Sequence, residues 1–355
     1  MATQSYATIT PRLGKYKGAL LKYAVAKECL ALTGRQVRFP KNNSDTYVAR
    51  RYLPYGATAT DGNSQNRFYQ DGNGDRGQAI VQAHQMAEGI TPAPDSIQSV
   101  DITVVMQQYS CLYGFTDKTA DLYEDRIPDQ MIKQVGERVA FVNELIMYGY
   151  LRGSTNQFYG GAGTSLATVN GGLTLGFLRR ISQNLQANHA VMITSVLAAS
   201  GDFDTQAVGE GYLVYCHTDM EPDIRDLPNF VPTEKYASGT PMRNELGKCE
   251  RFRFITSADL PPIQNGGAAN AGTGFYGTTA NMDVYPIIVT AEDAYSQVAV
   301  RGLDALDPTY IPPGQKDKSD PHGQRGYAGT KWYKAVMIEN QGWMAVGNVA
   351  RKVLL

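Results

Sequence analysis

Asp71, Asn73 and Asp75 alternate along the run DGNGDRG in the manner of a calcium loop, where side-chain oxygens at alternate positions converge on one cation. The pattern breaks twice. Arg76 occupies the position of the turn glycine, and Gln82 stands where a bidentate glutamate belongs. A solvated loop tip is therefore the expectation. The stretch GGAGTS, Gly160 to Ser165, has the glycines of a phosphate cradle without the lysine that reaches a phosphate, so it reads as a plain flexible connector. His84, His189, His217 and His322 lie far apart, and none has a second histidine at helical ligand spacing. His217, beside Cys216 and close to Asp219, is the best placed for chemistry, yet a histidine hydrogen-bonded at a strand end accounts for it more simply. There is no G-x-S-x-G nucleophile elbow. The residues define no catalytic constellation, cofactor cradle or metal set.

The chain that must position them has 355 residues, 43% hydrophobic and 19% charged, which suits one large domain or two ordinary ones and excludes a disordered composition. Cys29, Cys111, Cys216 and Cys249 are dispersed without a C-x-x-C pair and read as reduced, buried thiols of a cytosolic protein. The stretch from Ala19 to Leu32 is broken by Lys22, Lys27 and Glu28 and is too short to span a bilayer; no membrane segment is expected. The net charge of -1 argues against a dedicated nucleic-acid binder. Its distribution is uneven. Residues 1–41 carry eight basic side chains against the single acid Glu28. Such an arm can meet phosphates or a partner protein, but any contact with DNA would be sequence-independent and salt-sensitive.

Hydrophobic periodicity supplies the elements. An amphipathic helix is expected from about Lys15 to Leu32, stopped by Gly34, and strands over Thr46 to Leu53 and Ser99 to Tyr109. Between those strands lies Tyr55 to Asp95, with six glycines, which reads as a long hairpin projecting from the body. From Asp129 to Arg152, Ile132, Val135, Val139, Val142, Ile146 and Gly149 trace one face of a strong helix. A second helix runs from Leu173 to about Asn188 on Leu175, Leu178, Ile181 and Leu185. Thereafter the pattern is mainly β, with apolar runs at Tyr212 to Cys216, Phe252 to Ile255, Val284 to Thr290, Val298 to Val300 and Tyr333 to Ile338. Loops are expected at Asn265 to Asn281 and Asp307 to Thr330, and the class is α+β. Twenty-two tyrosines suit large buried interfaces and strand propensity equally.

Four stretches carry a family resemblance: FPKNNSDTYVARRYLPY (Phe39 to Tyr55), AEGITPAPDSIQSVDITVVMQQYSCLYGFTDKTADLYEDR (Ala87 to Arg126), YLVYCHTDMEPDIRDLPNFVPTEKY (Tyr212 to Tyr236) and KWYKAVMIENQGWMAVGNVARK (Lys331 to Lys352). In their order, from about residue 15 to the end, the chain resembles the major capsid proteins of tailed phages with the Hong Kong ninety-seven type fold, and among them the N-four-like family.

The resemblance implies an N-terminal arm over residues 1–45, an extended β-hairpin loop over 46–108, a peripheral domain with a long spine helix over 109–172, an axial domain over 173–330, and final strands over 331–355 returning to the peripheral domain. Pentamers and hexamers in an icosahedral shell around double-stranded DNA follow from it, assembled in the host cytoplasm and resident in the virion. Scaffolding, portal and decoration proteins are the implied partners; no cofactor, metal or membrane is. Inter-subunit contact is expected at the loop tip through Asp61, Arg67, Asp71, Asp75 and Arg76, and contact with scaffold or DNA through Arg12, Lys15, Lys17 and Lys22. The segment Asp61 to Gly77 departs from the family in being longer and richer in Gly, Asn and Gln. A β-rich tail or adhesion protein would explain the loops and tyrosines but not the helix at Asp129. An enzyme with a glycine-rich lid would explain the loops alone.

Overall fold

The computed structural model describes residues 29–42, 44–53, 85–86, 88–89, 97–123, 127–197, 205–236, 241–242, 244–270, 272, 274–300, 309–316 and 318–354. After a single 3-10 turn at Leu30–Leu32 the chain forms β1 (Arg35–Phe39), β2 (Thr46–Tyr52), β3 (Ser99–Val105) and β4 (Gln107–Thr116). Two helices follow, α1 (Asp117–Leu122) and α2 (Ile127–Arg152), and then the short β5 (Gln157–Tyr159). Next come α3 (Leu175–Ala187), β6 (Ile193–Leu197), β7 (Thr205–His217), α4 (Glu221–Arg225), β8 (Phe230–Pro232), β9 (Glu245–Cys249) and β10 (Phe252–Ser257). The chain closes with β11 (Val284–Thr290), β12 (Tyr295–Val300), β13 (Thr309–Ile311), β14 (Arg325–Ile338) and β15 (Met344–Ala350).

Among the described residues, three sheets result. The first runs β1-β12-β14-β13, with β4 laid antiparallel along β14; the second runs β5-β15-β11-β7-β10-β9-β8, with β6 on β7; β2 and β3 pair alone as a ribbon. The second sheet is covered on both faces. Tyr212, Val214, Ile287 and Val289 point to α3, whose Phe177, Leu178, Ile181 and Leu185 are buried against them. Leu213, Tyr215, Ile288 and Val346 point the other way, towards Met147, Tyr148 and Leu151 of α2. Two-sided burial is why β11 reads as an apolar run, and every residue of β11 and β15 is buried.

The helix α2 begins two residues before the expected Asp129 and changes face along its length. Its first half buries Met131, Val135 and Val139, the last two against Cys111 of β4 and Trp332 of β14. Its second half buries Glu144, Met147, Tyr148 and Leu151, which lie about 170° further round at 3.6 residues per turn. The single stripe expected from sequence is thus corrected: Ile132 and Gly149 are exposed, because one helix serves two cores. Asp129 in the first turn and Arg152 in the last complement the helix dipole, and Thr174 caps α3 by accepting from the Phe177 N–H at 3.2 Å.

Two other expectations are revised. The GGAGTS stretch is a bonded loop and not a flexible connector: Gly160 N–H donates to the Asn348 carbonyl at 2.8 Å, Ala162 N–H to Asn170 Oδ1 at 3.0 Å, and Thr164 and Ser165 N–H to Thr168 Oγ1 at 3.0 Å. The expected loop from Asp307 to Thr330 contains β13 and the start of β14, where a Cβ on Gly326 would lie 2.4 Å from Cζ of Phe115. That glycine makes room for a ring and does not loosen a loop. Of the helix expected up to Leu32, only the 3-10 turn falls among the described residues, and a strand, β1, follows it inside the stretch read as an arm. The strand β14 runs through residue 330, β12 lies beside it in the first sheet, and β15 lies in the second.

Candidate assembly site

The base of the extended loop is the β2–β3 ribbon, whose register places Thr46 opposite Val105 and Tyr52 opposite Ser99. In an antiparallel pair directly opposed residues share a face. The inner face carries Tyr47, Ala49 and Arg51 opposite Val104, Ile102 and Val100, all partly buried. Tyr47 meets Phe39 edge-on at 5.8 Å, Val104 and Met106 pack beside Phe39 and Val298, and Arg51 Nη1 donates to the Glu339 carbonyl at 2.8 Å. Burial pulls the Arg51 guanidinium below its usual pKa, with Glu339 opposing. The inner face thus seats the ribbon on the end of the first sheet. The outer face presents Val48, Tyr52 and Val105, of which Tyr52 is 67% exposed, around a two-pronged pair of Arg50 Nε and Nη2 with the Asp101 carboxylate at 2.7 and 2.9 Å. The Arg50 hydrogen bonds hold the Asp101 carboxyl below the ordinary carboxylate range.

Asp61, Arg67, Asp71, Asp75 and Arg76 fall between the two ends of this ribbon and lie outside the described residues, as do Arg12, Lys15, Lys17 and Lys22. What the structure does describe is the arm's root. Glu144, 1% exposed, accepts from the Cys29 N–H at 3.1 Å and the Leu30 N–H at 3.2 Å. Tyr295 Oη donates to the Leu30 carbonyl at 2.5 Å, Gln297 Nε2 donates to the Ala31 carbonyl at 3.1 Å, and Thr33 Oγ1 lies 2.6 Å from Tyr215 Oη and 2.7 Å from Tyr295 Oη. Beyond Gly34, β1 continues parallel to β12 with Arg35 level with Ser296. None of these partners stood out from the sequence. The one available signal was Glu144, an acid with Ala140, Phe141, Met147 and Tyr148 one turn away on the most regular helix pattern of the chain, since a buried carboxylate needs donors.

His217 behaves as a strand-end histidine: its Nδ1 accepts from the Asp219 N–H at 3.0 Å, and burial holds its pKa below the usual value. The Cys216 thiol is pushed up to about 12 by burial, and all four cysteines are buried. Among the described residues, no group of three His, Cys, Asp or Glu side chains is placed to hold a metal ion, and no helix is long and apolar enough to cross a membrane.

This fold is shared with the shell proteins of phage heads. The capsid of Ralstonia phage GP4 superposes with a TM-score of 0.62 at 10% identity over the whole of both chains. The head structure of Helicobacter pylori bacteriophage KHP40 gives 0.58 at 10% identity, covering 100% of this chain and 98% of the other, and the cyanophage Pam1 capsid gives 0.57 at 12%, covering 99% and 100%. The fold is therefore α+β and of the Hong Kong ninety-seven type. The sequence narrows this further. Over 268 residues, 69% of this chain and 67% of the relative, it is 25% identical to the major capsid protein of Pseudomonas phage KPP21. No family model matches the chain. The expectation of a tailed-phage major capsid protein is borne out, and the role is structural, in the shell of the virion.

Proposed function

We propose that this chain tiles an icosahedral head around double-stranded DNA as pentamers and hexamers, and that the β2–β3 ribbon and its loop lie across a neighbouring copy. The observation that carries this is the ribbon's two-sidedness. One face is docked on the subunit's own first sheet, while the other offers Val48, Tyr52 and Val105 around the Arg50–Asp101 pair, with no partner in the same chain among the described residues. A head-to-tail contact of this kind closes into rings. Asp61, Arg67, Asp71, Asp75 and Arg76 would supply the polar end of that contact. Removing residues 61–77 should give soluble subunits that fail to form normal shells under negative-stain microscopy; wild-type particles from that deletion would refute the reading.

Arg12, Lys15 and Lys17, with Lys22, would meet an acidic surface of a scaffolding protein or the packaged DNA during assembly in the host cytoplasm. Their replacement by glutamate should impair assembly or packaging, and an unchanged yield of filled particles counts against it. Portal and decoration proteins complete the partners of such a shell. The order of the four resembling stretches favours the N-four-like branch, and the shell's contacts, without catalysis, are the activity.

A further inference from the structure

Thr33 sits where the arm's root, α2 and both large sheets meet, and its hydroxyl has phenols on two sides. Tyr295, on β12 of the first sheet, spends its single proton on the Leu30 carbonyl at 2.5 Å. Towards Thr33, 2.7 Å away, it can therefore only accept. Thr33, having donated its own proton to Tyr295, must accept from Tyr215 on β7 of the second sheet, at 2.6 Å. The hydroxyls run one way, Tyr215 to Thr33 to Tyr295 to the Leu30 carbonyl, and each donor is used. Burial raises the pKa of both phenols, which keeps these protons in place. On the flank, the Glu144 carboxylate of α2 takes the Cys29 and Leu30 N–H groups. A Cβ on Gly34 would stand 2.6 Å from Cε2 of Tyr295, so the backbone crosses that ring only as glycine.

Residues 29–34 thus bond to all three bodies at once, where the rest of the contact between α2 and the sheets is mostly packing, with the Trp332 Nε1 bond to Asn143 Oδ1 at 2.9 Å beside it. We propose that this segment is a strap that locks the two sheets and α2 in one arrangement, and that a partner engaging the arm N-terminal to it changes how the strap is seated. The arm is thereby coupled to the shape of the subunit. The first part rests on the geometry of the single chain. The second rests on the reading of the arm as a contact element.

The strap can be tested without assembly by amide hydrogen exchange on the soluble, full-length subunit. Thr33→Val keeps the shape of the side chain and breaks the hydroxyl chain. It should raise exchange over residues 29–34 at least tenfold while the strands of the second sheet stay protected; Thr33→Ser, which restores a hydroxyl, should return exchange to the wild-type level. Shells grown from Thr33→Val subunits should be mixed in size or shape. Unchanged exchange at 29–34 overturns the strap. Raised exchange with uniform wild-type shells overturns the coupling and leaves the capsid reading standing. Should Thr33→Val fail to fold, Glu144→Gln decides: exchange confined to the strap supports the proposal, and an equal change throughout the chain, or none, overturns it.

Discussion

Arg253 and Glu245 face each other across neighbouring strands of the second sheet as a two-pronged ion pair, Nε to Oε1 at 2.8 Å and Nη2 to Oε2 at 2.6 Å, with side chains 6% and 0% exposed. The remaining bonds are made locally. Arg253 Nη1 donates to the Gly209 carbonyl at 2.9 Å, and Glu245 accepts from Tyr236 Oη and the Met242 N–H, both at 2.7 Å. The pair therefore joins β10 and β9 to the stretch of β7 that extends beyond them.

Cutting one half of this pair leaves a charge buried alone. Arg253→Met should cost about 3–5 kcal/mol in urea unfolding of the subunit. Pairing it with Glu245→Leu should recover part of that loss, although Tyr236 and Met242 then lack an acceptor at about 1–3 kcal/mol each. A single substitution tolerated as well as the double would contradict the burial of the pair.

The change of face along α2 separates the observed core from the one the periodicity suggests. Met147, fully buried, should cost about 2–5 kcal/mol as alanine. Ile132, which the sequence pattern placed at the head of the stripe, is 38% exposed, and its alanine variant should stay within about 0.5 kcal/mol of wild type. Equal losses at the two positions would restore the single-stripe helix.

That contrast shows where the sequence was legible. Val284–Thr290 and Thr46–Tyr52 were read nearly to the residue because runs and alternation are local properties. The ribbon's two faces followed from the alternation of Val100, Ile102 and Val104. The face of α2 was not local: it depends on Trp332 and on Leu213, far along the chain, meeting opposite sides of the helix. Likewise β1 exists because Tyr295–Val300 offers it an edge, and Thr33 gains a role only when Tyr215 and Tyr295 converge on it. The Gly326 and Gly329 pair suggested a loop because glycine's use as space beneath Phe115 or beside Leu112 is invisible without the partner strand.

On the ribbon, stability and assembly should come apart. Tyr52→Ser on the outer face removes exposed surface only, so the soluble subunit should unfold within about 0.5 kcal/mol of wild type. Shell yield, read by sedimentation, should fall several-fold, because the interior of an interface gains most from aromatic anchors. Tyr47→Ser, on the inner face against Phe39, should instead destabilise the subunit itself. Wild-type shell yield from Tyr52→Ser would remove the outer face from the contact.

Acid should weaken the subunit through His217. Its Nδ1 accepts from the Asp219 N–H, so the neutral ring carries its proton on Nε2 and protonation of Nδ1 breaks the bond. Burial lowers its pKa first, the nearby Arg351 adds to this, and Asp219 and Asp259 oppose it. A histidine depressed in the folded state is charged first in the unfolded chain, so its contribution is complete above about pH 6.5 and is lost as the pH falls. Asp223 is shifted the other way, raised by burial, and gains on acidification, but near the ordinary carboxylate range of about pH 4. Between about pH 7.5 and 5.5 the histidine should dominate this corner of the fold. His217→Asn keeps an acceptor for the Asp219 N–H and has no proton to take up. Its urea midpoint should therefore fall less over that interval than the wild-type midpoint, and parallel falls would show that the acid sensitivity arises elsewhere.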